Sequence, residues 1–283
     1  MKKSYIKYFT ALLLFGSNGI VASLINLSSY EIVLLRTLIG SALLMAIFSL
    51  GRGKLTFYKN RRQFLFLCIS GIAMGTSWMF LYEAYARIGV SISSLLYYCG
   101  PVIVMALSPM LFKEKLTAVK VVGFAAVLCG VFLVNGNAFD GGGDTFGIFC
   151  GIMSAVMYSF MVIFNKKAKD ITGLENSMLQ LLISFLTVAV FVGIKQGFVM
   201  EIEPSSILPI LILGLVNTGI GCYFYFSSIG DLPVQTVAIC GYLEPLSAVL
   251  FSFLFLKEAM MQVQMIGAAL IIGGAMFGEC YKT

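Results

Sequence analysis

Ten apolar stretches of about bilayer-crossing length follow one another along these 283 residues with little between them. Roughly 20 residues of helix cover the hydrocarbon layer, whereas a barrel strand needs only about ten. Inside that layer each backbone N–H and C=O has to find its partner within the segment, so runs of this length dictate helices. Turn signals place the spans at 8–27, 31–50, 64–86, 92–112, 118–135, 146–165, 175–194, 206–227, 235–256 and 263–279, the fifth and tenth being short. Composition agrees: 11% charged residues and a mean hydropathy of +0.96 separate the chain from soluble domains, about 25% of whose residues are charged. The expectation is an all-α integral membrane protein with ten transmembrane helices. No small-residue cleavage site follows the first run after Met1-Lys2-Lys3-Ser4, so it reads as a retained helix.

The fourth and ninth spans repeat each other. A shift of 144 positions carries Tyr98 to Tyr242, Pro101 to Pro245, Ser108 to Ser252, Lys113-Glu114 to Lys257-Glu258, Gly123 to Gly267 and Gly130 to Gly274. One offset kept through residues as uncommon in apolar runs as Pro and Glu marks an internal duplication. A mid-span proline deprives the carbonyl one turn earlier of its donor, which predicts a kink and a free backbone acceptor in each copy. Both helices are therefore expected to be moving parts of a substrate path. The plain alternative is a tolerated kink, since proline is more frequent in membrane helices than in soluble ones.

A Gly/Asp stretch at 135–144 falls mid-chain and leaves five spans on either side, giving units 1–135 and 146–283 joined by an outer linker, 136–145. Loops rich in Lys and Arg stay cytoplasmic. With the N-terminus inside, fifteen Lys and Arg lie in inner segments, against Arg87, Lys195 and Lys257 in outer loops. Both termini are thus expected in the cytoplasm of a bacterial inner (plasma) membrane. Because each half has an odd number of spans, the second enters inverted, giving two inverted five-helix repeats, a common construction of secondary transporters. The net charge of +6 serves orientation on this reading, and no nucleic-acid partner is expected. In a cysteine-free background, a single cysteine in place of Asp140 should react with a membrane-impermeant maleimide added outside the cell. Reaction from the cytoplasmic side alone would reverse the topology.

Phe15-Gly16-Ser17-Asn18 in the first span, Arg36 near the outer end of the second, the paired Pro…Lys-Glu helices followed by Gly-rich helices, and Leu243-Glu244-Pro245-Leu246 together resemble the EamA-type branch of the drug/metabolite transporter superfamily. The resemblance covers essentially the whole chain. It implies a ten-helix bundle around a central cavity, alternating access, and export or uptake of amino acids or other small metabolites. Phe15 stands where the family often has Trp, and the family spans many substrates.

Residues three and four apart share a helix face. Ser94, Tyr98, Pro101, Met105 and Ser108 form one stripe, and Tyr242, Pro245, Val249 and Ser252 form its counterpart. The third span carries Gly71, Gly75, Trp78, Tyr82 and Tyr85 in the same way, and the eighth carries Gly214, Asn217, Gly221, Tyr225 and Ser228. The substrate-binding candidates are Asn18, Trp78, Tyr82, Tyr98, Pro101, Asn217, Tyr225, Tyr242, Glu244 and Pro245. Aromatics near span ends are usually interfacial anchors, which is the alternative for Tyr82 and Tyr85. Gly123, Gly130, Gly267 and Gly274 suit close helix approach, within the chain or between two copies, so monomer and homodimer stay open.

Charges inside the bilayer are functional hypotheses by default. Arg36 and Glu83 both lie within roughly 5–8 Å of the outer surface at ~1.5 Å per residue, and a structural ion pair between them is expected. Binding of a substrate carboxylate by Arg36 is the alternative. Glu114 and Glu258 sit at helix ends beside lysines, where solvated or structural roles suffice. Glu244 lies roughly 14 Å into the ninth span by the same rise, with no cation at its depth. It must be protonated or neutralised by what it binds. The first option gives proton coupling and the second gives recognition of a substrate ammonium, which aromatic neighbours would assist. A third, structural option is a hydrogen bond to a carbonyl freed by a proline.

An enzyme is disfavoured: the chain has no His, its four Asp lie outside the spans, and no Gly-x4-Gly-Lys-Ser/Thr loop is present. The seven cysteines lack CxxC spacing and read as packing residues. Neither metal nor cofactor is expected. The partners expected are the lipid bilayer and a small-molecule substrate, most of all an amino acid or related amino-bearing solute, with export the favoured direction. A small organic amine or quaternary ammonium is the alternative substrate, and a non-transporting receptor or scaffold the alternative class.

Overall fold

A computed structural model describes residues 2–134, 144–256 and 262–280. Residues 135–143 and the second Lys-Glu pair, Lys257-Glu258, lie outside them, as do the side chains of Ser94, Val249 and Ser252. The described residues form thirteen α-helical elements: α1 (Lys2–Gly16), α2 (Asn18–Ala22), α3 (Ser29–Leu50), α4 (Arg61–Tyr97), α5 (Cys99–Phe112), α6 (Ala118–Val134), α7 (Thr145–Lys167), α8 (Gly173–Lys195), α9 (Pro204–Leu211), α10 (Gly221–Ile229), α11 (Val234–Cys240), α12 (Leu243–Leu256) and α13 (Gln262–Cys280). A π-helical stretch, Ile212–Ile220, joins α9 to α10, and Phe57–Lys59 makes a single 3₁₀ turn. Five helical segments are long and apolar enough to cross a membrane: Ser29–Leu50, Arg61–Ile88, Thr145–Lys167, Gly173–Lys195 and Pro204–Ile229. Cys99–Phe112, Ala118–Leu133 and Met265–Gly278 are apolar but shorter.

The structure interrupts three of the expected spans. The first breaks at Ser17, because Asn217 reaches in from the π-helical stretch and its Nδ2 lies 2.9 Å from the Leu14 carbonyl, 2.8 Å from Ser17 Oγ and 3.0 Å from Asn18 Oδ1. The fourth breaks at Tyr98 and the ninth at Gly241-Tyr242. Pro101 and Pro245 consequently do not kink a continuous helix. Each is the third residue of a new one, α5 or α12, where a backbone N–H has no intrahelical acceptor and its loss costs nothing. The carbonyls at the breaks are used: Tyr98 O accepts from Tyr242 Oη at 2.5 Å, and Gly241 O from the Glu244 N–H.

Along α4 the neighbours on α7 reverse. Ser70 Oγ bonds the Met161 carbonyl and Ser77 Oγ that of Ser154. A Cβ on Gly147 would touch Ile88, one on Gly151 would touch Leu96, and one on Gly100 would touch Tyr158. Nineteen residues of straight helix from Ser77 to Leu96 would span about 28 Å, whereas their partners Ser154 and Gly151 are one turn apart. The chain therefore doubles back between Ile88 and Leu96, near the loop expected between the third and fourth spans.

Contacts recur with both members shifted by 144 positions and exchanged between the halves. A Cβ on Gly75 would lie 2.9 Å from the Ser184 carbonyl oxygen, and one on Gly219 would lie 3.6 Å from Gly40 Cα. Gly123 abuts Gly274 and Gly130 abuts Gly267. Arg36 Nε bonds Thr218 Oγ1, and Gln180 Nε2 bonds Met74 Sδ. Tyr98 and Tyr242 meet each other, ring centres 6.3 Å apart. An approximate two-fold relation between the halves accounts for all four. The glycines of α6 and α13 thus serve close packing within the chain.

The charged loops gather at two ends. At one, Glu114 accepts from the backbone N–H groups of Val234 and Gln235, Ser4 donates to Asp231, and Lys166 donates to the carbonyls of Ile229 and Leu232. At the other, Asn26 bonds Glu203, and Arg87 pairs with Glu83 and Asp144. The hydrogen bond from Arg87 holds the Asp144 carboxyl below its usual range, a stabilisation lost as pH falls through that range and small because the pair is exposed.

Candidate functional site

The breaks in α1–α2 and before α12 face a central cavity of about 50 Å³ lined by Phe15, Asn18, Met74, Trp78, Tyr97, Tyr158, Met161, Cys222, Tyr225, Phe226 and Glu244. Its walls come from both halves. The break at Ser17 places Asn18 there, and the break at Gly241-Tyr242 puts Glu244 in the first turn of α12. Phe15 packs so closely on α10 that a Cβ on Gly221 would lie 2.8 Å from its ring. Tyr225 joins ring contacts with Tyr8 and Phe15 at 5.5 and 5.8 Å, and its hydroxyl lies 3.3 Å from that of Tyr158. Among the described residues, none hydrogen-bonds or pairs with the Glu244 carboxylate. Its backbone N–H is held by Gly241 O, and its carbonyl accepts from Ser247 Oγ.

Of the residues expected at the site, Asn18, Trp78, Tyr225 and Glu244 line this cavity. The other six are not among its lining residues. Tyr242 is fully buried and bonds Tyr98 O, and Pro101 and Pro245 are buried at helix starts. Tyr98 packs on Tyr97, which does face the cavity. Asn217 holds the α1 break, and Tyr82 Oη accepts from Arg36 Nη1 at 3.4 Å.

The expected Arg36–Glu83 ion pair is not formed. Glu83 is engaged by Arg87 at 2.7 Å, by Lys195 at 3.6 Å and by the Tyr30 hydroxyl. Arg36 points the other way, onto the Trp78 ring at 4.4 Å from its centre and onto Thr218 Oγ1 at 2.9 Å. Equal depth does not place two side chains on facing sides of their helices, and here Glu83 follows the loop cations while Arg36 turns inward.

Sequence reasoning passed over Tyr97, Tyr158, Met74, Met161, Cys222 and Phe226. The signal existed for two of them: the duplication offset carries Trp78 to Cys222 and Tyr82 to Phe226. Tyr158 stands on a span whose polar stripe, Ser154-Tyr158, was within reach of the same face analysis. A second cavity of about 390 Å³ opens at the end carrying Glu114, Lys166, Lys169 and Asp231, and shares Phe226 with the central one.

The EamA-like transporter family model matches residues 2–136 and again 145–277. The chain belongs to this family. It is accordingly a multi-pass membrane transporter of the drug/metabolite superfamily, and the double match falls on the two halves related by the contacts above. An uncharacterized transporter of Bacillus subtilis, YxxF, is 24% identical over 95% of this chain and 87% of its own length. YetK of the same organism, likewise an uncharacterized transporter, is 26% identical over 96% and 85%. A WAT1-related chloroplastic protein of Arabidopsis thaliana, At3g02690, is 21% identical over 68% of this chain and 49% of its length. A solved crystal structure superposes with a TM-score of 0.84 at 20% identity, covering 97% of both chains, a likeness of fold alone.

Proposed function

We propose that this EamA-family protein is a secondary transporter of small amino-bearing solutes, amino acids foremost, and that Glu244 is the group that receives the ammonium. One observation carries the reading: a carboxylate with no hydrogen bond or direct ion pair among the described residues faces a cavity walled by Tyr97, Tyr158, Tyr225 and Trp78. A buried carboxylate is unfavourable unless it is neutralised. Aromatic faces add attraction for a cation of about 0.5–2 kcal/mol. The same walls favour a second reading, a small organic amine or quaternary ammonium.

Ten spans, inverted halves with both termini in the cytoplasm of a bacterial plasma membrane, and net export belong to the same proposal. The exchanged contacts and the segregation of the charged loops support the inverted halves. At about 50 Å³ the cavity has space for a few waters, well short of the ~300 Å³ at which ligand pockets begin. Transport on this reading requires it to widen as one half rocks against the other. Phe226 is the inner barrier, and the layer of Trp78, Arg36 and Tyr82 the outer one. Proteoliposomes holding the purified protein should exchange labelled amino acid for unlabelled amino acid inside. Exchange no faster than in empty liposomes, across amino acids and amines alike, overturns the assignment.

A further inference from the structure

Arg36 is 3% exposed, and its Nη2 has no hydrogen-bond partner. No carboxylate among the described residues makes a direct ion pair with it: Glu83 is held by Arg87 and Lys195, and Glu244 reaches it only through space. A buried guanidinium lacking a direct ionic partner is costly to maintain unless something else completes it. What surrounds it is arranged to orient it. Thr218 spends its own hydroxyl proton on the Leu213 carbonyl five residues back, at 2.7 Å, which leaves its oxygen to accept from Arg36 Nε. That bond exists because Thr218 stands in the π-helical stretch, an irregularity frequent at functional sites. The guanidinium carbon lies over Trp78, 4.4 Å from the ring centre. Trp78 in turn lines the cavity that holds Glu244. Glu244 thus lines the cavity and Arg36 stands against its Trp78 wall, two opposite charges within each other's field but not paired by a direct bond.

We propose that Arg36 is the carboxylate anchor of this transporter, so that the site selects zwitterions. The inference rests on the ammonium-binding role given to Glu244 above and separates its two substrate readings, since a simple amine leaves Arg36 uncompleted. Guanidinium and carboxylate match in planar, two-pronged geometry, and charge-assisted bonds of this kind are among the strongest available. Trp78, in contact with Arg36, has to swing aside as the cavity widens, which couples arrival of the carboxylate to loosening of the outer barrier.

Four probes of one shape separate the poles: leucine, leucinamide, 3-methylbutylamine and 4-methylpentanoate, each competing for exchange in proteoliposomes and each tested for thermal stabilisation of the purified full-length protein. Leucine is expected to bind wild type at least about tenfold more tightly than leucinamide or the amine. Arg36→Gln should erase that preference by weakening leucine far more than the amine. Arg36→Lys, which keeps the charge but not the fork, should restore part of it. Should Arg36→Gln not fold, Thr218→Val, which frees Nε without touching the charge, is expected to narrow the preference. Equal binding of leucine, leucinamide and the amine by wild type overturns the role of Arg36 and leaves Glu244 standing. So does an Arg36→Gln protein that folds and keeps the wild-type preference. Competition by 4-methylpentanoate equal to that of leucine, with none by the amine, keeps the anchor and removes the ammonium site. Failure of all four sinks both.

Discussion

Glu244→Gln is expected to lower the affinity for an amino-bearing solute by about 10- to 100-fold, the equivalent of losing one charge-assisted hydrogen bond of ~1.5–3 kcal/mol. Gln fits the same space and keeps an acceptor oxygen, so the change removes the charge and little else. Folding should survive. The carboxylate makes no hydrogen bond among the described residues, and the features that shape its surroundings, the Gly241 break and the Ser247–Glu244 backbone bond, do not use its side chain. The structural role open on sequence grounds is a protonated acid donating to a carbonyl freed by proline; no such bond is made among the described residues, and Gly241 O already takes the Glu244 N–H. A proton-coupling role predicts in addition that the pH dependence of transport flattens in the mutant. Exchange at the wild-type rate, affinity and pH dependence would make Glu244 structural and remove the substrate assignment with it.

Gly130→Ala should produce the largest loss of stability for a single methyl group, about 1–3 kcal/mol, the usual cost of forcing extra volume into a packed contact. The new Cβ would lie 2.5 Å from the Gly267 carbonyl oxygen and 2.9 Å from the Ile271 N, both backbone atoms of α13. A side chain can turn aside, but a helix backbone has to translate. Translation would part α6 from α13 along their length, since Gly123 meets Gly274 in the same way with 2.7 Å to the carbonyl oxygen. Gly273→Ala is the control, because nothing lies within 4 Å of its added Cβ. On helix propensity alone both alanines should stabilise, by up to ~1 kcal/mol. Thermal unfolding in the same detergent compares them, and a Gly130→Ala protein melting no lower than the Gly273→Ala one would rule out the close contact of these helices.

The sequence by itself determined the class, the duplication and the family. Apolar runs of some 20 residues permit only helices in a bilayer, and the 144-residue offset is a matter of residue identity that needs no coordinates. Because the offset links chemically matched positions, it also reaches the helix contacts: Gly123, Gly130, Gly267 and Gly274 are legible as close-approach residues from the sequence alone. Glu244 was legible for a similar reason, as a carboxylate deep in an apolar run is costly wherever the helix turns. Three things depended on tertiary structure. Whether a proline kinks a helix or begins one is decided by where the chain breaks, and the breaks at Tyr98 and Gly241 are set by cross-helix bonds such as Tyr242 to Tyr98. Asn217 could be placed on a polar stripe, but that it opens the first span at Ser17 follows from which helix lies against it. Arg36 and Glu83 share a depth, and depth is all that hydropathy reports. Azimuth around the helix axis is fixed by packing, and packing sent Glu83 to the loop cations and Arg36 onto Trp78.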